Sequence, residues 1–248
     1  MHLVKLKDVN LSYFSTNGET PALENLSFSI NKGDFVSIVG PSGCGKTTIL
    51  SLISGLIKPT SGEVEVLNDE KNSSFVGYMF QRDNLLEWRT ILQNVYLGLE
   101  LQKRKTPENM EYACNLLKKY NLWEFRDKYP KQLSGGMRQR VALIRTLALK
   151  PSVLLLDEAF SALDYQTRLN VCDDVYNIIK EEKLTAILVT HDIGEAVSLS
   201  DKIIILSSRP AHVKNELQIN LQHYGTPFER RECPESKKYF DIIWRDLQ

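Results

Sequence analysis

The chain has 248 residues, 42% of them apolar, with 31 basic and 31 acidic side chains and a formal net charge of zero. That length suits one large α/β domain with a sizeable core, and the even charge gives no sign of a strongly basic nucleic-acid binder or an acidic tail. Cys44, Cys114, Cys172 and Cys233 are too scattered for a disulfide framework or a zinc site, so reduced thiols in a cytosolic protein are expected.

Met1-His2-Leu3-Val4-Lys5 lacks the basic-then-apolar layout of a signal peptide, and no stretch approaches the roughly 20 apolar residues that span a bilayer. Strands are expected at Val4–Ser12, Leu26–Ile30 and Phe35–Val39, the last an apolar run suited to burial on both faces. A helix is expected over Thr47–Leu56, halted by Pro59, and strands over Glu63–Leu67 and Val76–Phe80. Ile91–Leu101 and Pro107–Tyr120 have helical spacing, the second with Thr106 as N-cap and Pro107 at the first position. The segment 88–145 therefore reads as a helical insert between two strand-rich parts. Alternation then resumes with strand Val153–Leu156, helix Gln166–Lys183, strand Ala186–Val189, helix Ile193–Leu199 and strand Lys202–Leu206. The tail, about 209–248, is polar and weakly patterned and receives no assignment.

Gly40-Pro41-Ser42-Gly43-Cys44-Gly45-Lys46-Thr47 fits G-x-x-x-x-G-K-[ST], directly between a strand and a helix. Glycines let backbone N–H groups turn inward around phosphate oxygens, and the helix that follows, with Thr48 in its first turn, aims its positive end at the anion. In this pattern Lys46 reaches the β- and γ-phosphates of a nucleotide and the Thr47 hydroxyl holds Mg²⁺. Val153-Leu154-Leu155-Leu156-Asp157-Glu158 is an apolar strand ending in two carboxylates at the sheet edge, where ligands of α/β folds bind. Asp157 is expected to reach Mg²⁺ and Glu158 to act as general base on the attacking water.

Many nucleotide-hydrolysing families share those two motifs. Leu133-Ser134-Gly135-Gly136-Met137-Arg138-Gln139-Arg140 resembles the signature of the ABC (ATP-binding cassette) ATPases, usually LSGGQ, with Met137 in the fifth place. Gln81 resembles that family's Q-loop glutamine, Ser161-Ala162-Leu163-Asp164 its D-loop, and His191 its switch histidine, while Tyr13 sits where the family places an aromatic against adenine. The resemblance covers about residues 3–210. It implies an α/β P-loop NTPase fold with a β-rich N-terminal part and an inserted helical subdomain. It also implies a head-to-tail pair in which Ser134, Gly135 and Gly136 of one subunit meet the γ-phosphate held by the other, and roles for Gln81 at Mg²⁺ and for His191 at the γ-phosphate. Each residue has a plainer alternative. Ser134 and its glycines also suit a helix cap, His191 could be structural, Gln81 is an ordinary loop residue, and Tyr13 could be a strand tyrosine.

Asp83–Thr90, Asn94–Glu100 and Ser208-Arg209-Pro210 are similar to the nitrate/sulfonate/taurine importer group, with Glu87 where that group usually has proline. This implies transmembrane permease subunits and a solute-binding protein as partners, a place at the cytoplasmic face of the membrane, and Leu85, Leu86 and Trp88 as permease contacts. The same apolar residues could instead pack the helical insert. A non-transport ABC ATPase acting on ribosomes or DNA is the rival, but the chain carries neither tandem cassettes nor a basic stripe. A small-molecule kinase would give no reason for residues 133–140 or for His191.

Overall fold

A computed structural model describes residues 2–16, 18–67 and 76–248. β1 (His2–Ser15) and β2 (Gly18–Asn31) form an antiparallel hairpin, after which the chain enters β3 (Phe35–Val39) and α1 (Lys46–Ile53). β4 (Ser61–Val66) returns to pair with β1, completing a three-stranded antiparallel sheet in the order β2-β1-β4. β5 (Val76–Met79) precedes three helices, α2 (Ile91–Leu101), α3 (Pro107–Lys119) and α4 (Gly135–Leu147). The remainder is β6 (Val153–Asp157), α5 (Tyr165–Glu181), β7 (Thr185–Val189), α6 (Ile193–Leu199), β8 (Lys202–Leu206), β9 (Val213–Gln218), α7 (Pro227–Glu232) and α8 (Pro234–Leu247). The larger sheet runs β5-β6-β7-β3-β8-β9, parallel except for β9 at its edge.

The central strands β3 and β7 are buried along their whole length, as mainly apolar strands covered on both faces are. One face packs on α2 to α5, through Leu99, Leu117, Ile144 and Val175. The other packs on α1 and the small sheet, through Ile49, Leu50, Leu6 and Leu26. β6, β7 and β3 end on the same edge of this sheet, and the phosphate-binding motif, Asp157-Glu158 and His191 follow directly from those ends.

Three expectations change. β1 and β2 extend beyond Val4–Ser12 and Leu26–Ile30, because backbone pairing carries the hairpin through polar residues and across bulges at Asp8 and Asn25, both of positive φ. α1 ends at Ile53, where Gly55 turns the chain at φ 74 before Pro59 is reached. The tail is ordered: β9 pairs with β8, and α7 and α8 cover α6 around a separate cluster that includes Ile219, Leu221 and the fully buried Ile243. Ahead of β9, Arg209 Nε donates to Pro21 O at 2.8 Å, Ala211 N donates to Ala22 O at 2.9 Å, and Glu24 N donates to Ala211 O at 3.0 Å. Residues 209–211 thus strap the small sheet to the large one.

Candidate functional site

The phosphate-binding turn is built by its backbone. Gly45 holds a left-handed conformation at φ 119 as the N-cap of α1, with no side chain capping the helix, so first-turn N–H groups stay available to an anion. A Cβ at Gly45 would also press on Leu23 Cδ2 at 3.0 Å. Lys46 is only 7% exposed, and its ammonium donates to Gly40 O at 2.8 Å and Pro41 O at 3.0 Å. A buried cation met, among the described residues, only by carbonyl dipoles suits an anionic ligand. Burial raises the Cys44 thiol pKa more than the neighbouring Lys46 charge lowers it, so this cysteine stays protonated.

Across the sheet edge, Thr47 Oγ1 donates to Asp157 Oδ1 at 3.1 Å and the Tyr78 hydroxyl donates to Asp157 Oδ2 at 2.9 Å. Burial, then the adjoining Asp157 charge, push the Tyr78 phenol well above its ordinary pKa, so it stays a donor. A hydroxyl and a carboxylate oxygen in contact form a hard-oxygen pair. They fit Mg²⁺ arriving with substrate phosphates and water to complete its shell.

Glu158 follows β6 with φ 46, an uncommon backbone for a non-glycine residue and one found at functional sites. Its N–H is held by Val189 O at 2.9 Å, which brings its carboxylate Oε2 to 3.4 Å from His191 Nδ1. Ser161 Oγ donates to Glu158 O at 2.9 Å and accepts from Gln81 Nε2 at 3.0 Å. Gln81, Ser161, Glu158 and His191 therefore stand together, with Lys46, Thr47 and Asp157 beside them. Tyr13 is tied to the phosphate turn by a 3.1 Å contact between its hydroxyl and Thr48 Oγ1, leaving its ring part-exposed.

Ser134 caps α4, its Oγ accepting from Met137 N at 3.3 Å. Gly136 is required by close approach: a Cβ there would meet Val171 Cγ2 at 3.0 Å and Thr167 Cγ2 at 3.1 Å of α5. Among the described residues no hydrogen bond joins 134–136 to 40–48. Of the expected permease contacts, Leu85 is 6% exposed and packs into the core, so only the half-buried Leu86 and the 75% exposed Trp88 face outward. Tyr78 carried no expected role, and Ser161 only a place in the segment that resembles the D-loop. Tyr78 meets Asp157 only through the register of β5 on β6, which the sequence does not display.

The model of the ABC transporter family matches residues 23–161. The chain belongs to the ABC transporter family. An uncharacterized ABC transporter ATP-binding protein of Bacillus subtilis, YtlC, is 45% identical over 100% of this chain and 96% of its own length. The nitrate import ATP-binding protein NrtD of Synechocystis is 40% identical over 98% of this chain and 94% of its own. A bacterial ABC transporter cassette solved as a dimer, and again in a post-hydrolysis state bound to ADP and Pi, matches with TM-score 0.71 and 35% identity over 88% of this chain and 99% of that one. The fold is the expected ABC ATPase cassette and the chain is an ABC ATPase. No helix among its described residues is long and apolar enough to cross a membrane.

Proposed function

We propose that this ATPase drives solute uptake, hydrolysing ATP in a head-to-tail pair of its own copies docked on separate permease subunits at the cytoplasmic membrane face. The observation that carries the chemistry is the meeting of Glu158 with His191 at 3.4 Å, beside Lys46 and the Thr47–Asp157 pair. Lys46 and the N–H groups of 42–48 bind the phosphates, and Tyr13 stacks on adenine. Thr47, Asp157 and Gln81 would hold Mg²⁺, which would supply positive charge against the phosphate oxygens. Glu158 takes a proton from the attacking water, and His191 orients that water and the γ-phosphate. Ser134, Gly135 and Gly136 of the second subunit complete the site from α4's N-terminal end.

In this reading the chain acts as one cassette, with 88–145 as its helical insert. The 40% identity to a nitrate import protein over nearly the whole chain supports an importer of the nitrate/sulfonate/taurine-like group with a solute-binding protein as further partner. The exposed Trp88, beside Leu86, is the permease-facing residue. Glu158→Gln removes the base and leaves the binding surfaces, so size-exclusion chromatography with ATP should trap a dimer; wild-type turnover in that variant would end the assignment. Tagged protein drawn from gently solubilised membranes should bring a polytopic protein in stoichiometric amount, whereas ribosomal or DNA-bound partners without a permease would sink transport.

A further inference from the structure

The loop 83–89 is gripped from two sides. On the α2 side the fully buried Asn94 accepts from Leu86 N at 2.7 Å and donates to Leu86 O, Arg89 O and Thr90 O at 3.1, 3.1 and 3.0 Å. On the α4 side Arg138 reaches Asp83 with both arms of its fork, Nε to Oδ2 at 2.9 Å and Nη2 to Oδ1 at 3.2 Å, and Nη2 also reaches Glu87 Oε1 at 2.9 Å. Two helical turns further along the same face, Arg145 donates to Asn84 O and Asp83 O, both at 2.7 Å. Asp83 in turn accepts from Leu85 N at 3.0 Å. Burial pushes the Asp83 carboxyl up, but the hydrogen bonds from Arg138 and Leu85 and the arginine charges outweigh it and hold the pKa below the ordinary range. Glu87 supplies the second carboxylate.

Arg138 lies in the first turn of α4, its N–H bonded to Ser134 O at 2.9 Å. The guanidinium that grips the loop and the turn that bears Ser134-Gly135-Gly136 are therefore parts of one rigid piece. Exposed ion pairs contribute little, but a bidentate arginine–carboxylate pair with both partners mostly shielded (27% and 18% side-chain exposure) is the geometry that holds position. Displacing the loop pulls on Arg138, and tilting the start of α4 pulls on the loop.

We propose that Arg138, with Asp83, Glu87 and Arg145, clasps the loop bearing Trp88 to the signature turn, making Arg138 a positioning residue for the contact that Ser134–Gly136 makes with the partner-held γ-phosphate. The clasp rests on the composite-site reading above. It touches no phosphate of its own subunit. Loosening it leaves nucleotide binding by the single subunit unchanged and weakens closure of the pair.

The test places Arg138→Gln, Arg138→Lys and Asp83→Asn in the Glu158→Gln background. It measures ATP affinity of the single subunit with a fluorescent ATP analogue, and the protein concentration giving half-maximal ATP-driven dimer. The expected result is unchanged ATP affinity, about tenfold weaker dimerisation for Arg138→Gln and Asp83→Asn, and partial recovery with Arg138→Lys, which keeps the charge but not the fork. A folded Arg138→Gln protein that dimerises as tightly as its parent overturns the clasp, as does an equal loss of single-subunit ATP affinity. Should Arg138→Gln fail to fold, Asp83→Asn, which alters one charge and keeps the loop's shape, decides by the same two readings. If the Glu158→Gln parent itself gives no dimer with ATP, the composite-site reading fails first and the clasp falls with it, a result distinct from failure of the Arg138 variants alone.

Discussion

The two faces of the proposed composite site are held by different physics. Residues 40–48 lead from β3 into the first turn of α1, backed by strands with no exposed side chain, and their shape is set by backbone and by a buried lysine. Residues 133–138 begin a helix whose outer face is held by side-chain bonds to acids on a loop, one of them half-exposed. Burial makes the first face a fixed cradle. Charge pairs at the edge of solvent make the second adjustable, and sensitive to pH and to what touches the loop.

Substitutions should expose that contrast. The largest effect is expected from Lys46→Ala, which removes the buried cation from the cradle: turnover should fall by about a hundredfold or more, read as phosphate release, with the fold intact by circular dichroism. Next, Gly136→Val should drive methyl groups into Val171 and Thr167, costing about 1–3 kcal/mol by urea unfolding. Smaller still is the acid response of the clasp. Because the folded pKa of Asp83 is depressed, its stabilisation is fully present above the ordinary carboxylate value of about 3.9 and is lost as pH falls through the lower folded value. The Tm gap between wild type and Asp83→Asn should therefore be constant from neutral pH down to about 5 and shrink in stronger acid. The smallest effect is expected for Tyr78→Phe, which frees one Asp157 oxygen. The Mg²⁺ needed for half-maximal ATP binding should shift by only about two- to fivefold, on the order of one hydrogen bond, and an unchanged requirement would show that Tyr78 does not orient Asp157.

Much of this was legible in the residues. Buried parallel strands announce themselves as mainly apolar runs without alternation, so Phe35–Val39 and Val153–Leu156 could be placed, and with them the motifs that follow. What escaped depended on pairing that composition does not record. β9 is an edge strand whose residues alternate between half-buried and exposed, and its partner β8 supplies its order. α8 carries Tyr239, Ile243 and Leu247 inward at helical spacing, but Phe240 and Trp244 stack on the outer side and blur the stripe. The signature motif was visible as a string; the grip of Arg138 on Asp83 and Glu87 was not, because it joins side chains 55 and 51 positions apart. Leu85 shows two open readings, permease contact or packing of the insert, between which composition could not choose; in the fold it is buried in the core.

The strap at residues 209–211 bears on how the molecule melts. It ties the sheet carrying Tyr13 to the larger sheet, on whose β3 the Lys46 turn is built, through hydrogen bonds of Arg209 and Ala211, and both sheets close over one shared cluster. Neither sheet can come apart without disrupting the other's packing, so heating should yield a single calorimetric peak whose van't Hoff and calorimetric enthalpies agree, and amides of the N-terminal hairpin core should exchange as slowly as those of the central strands.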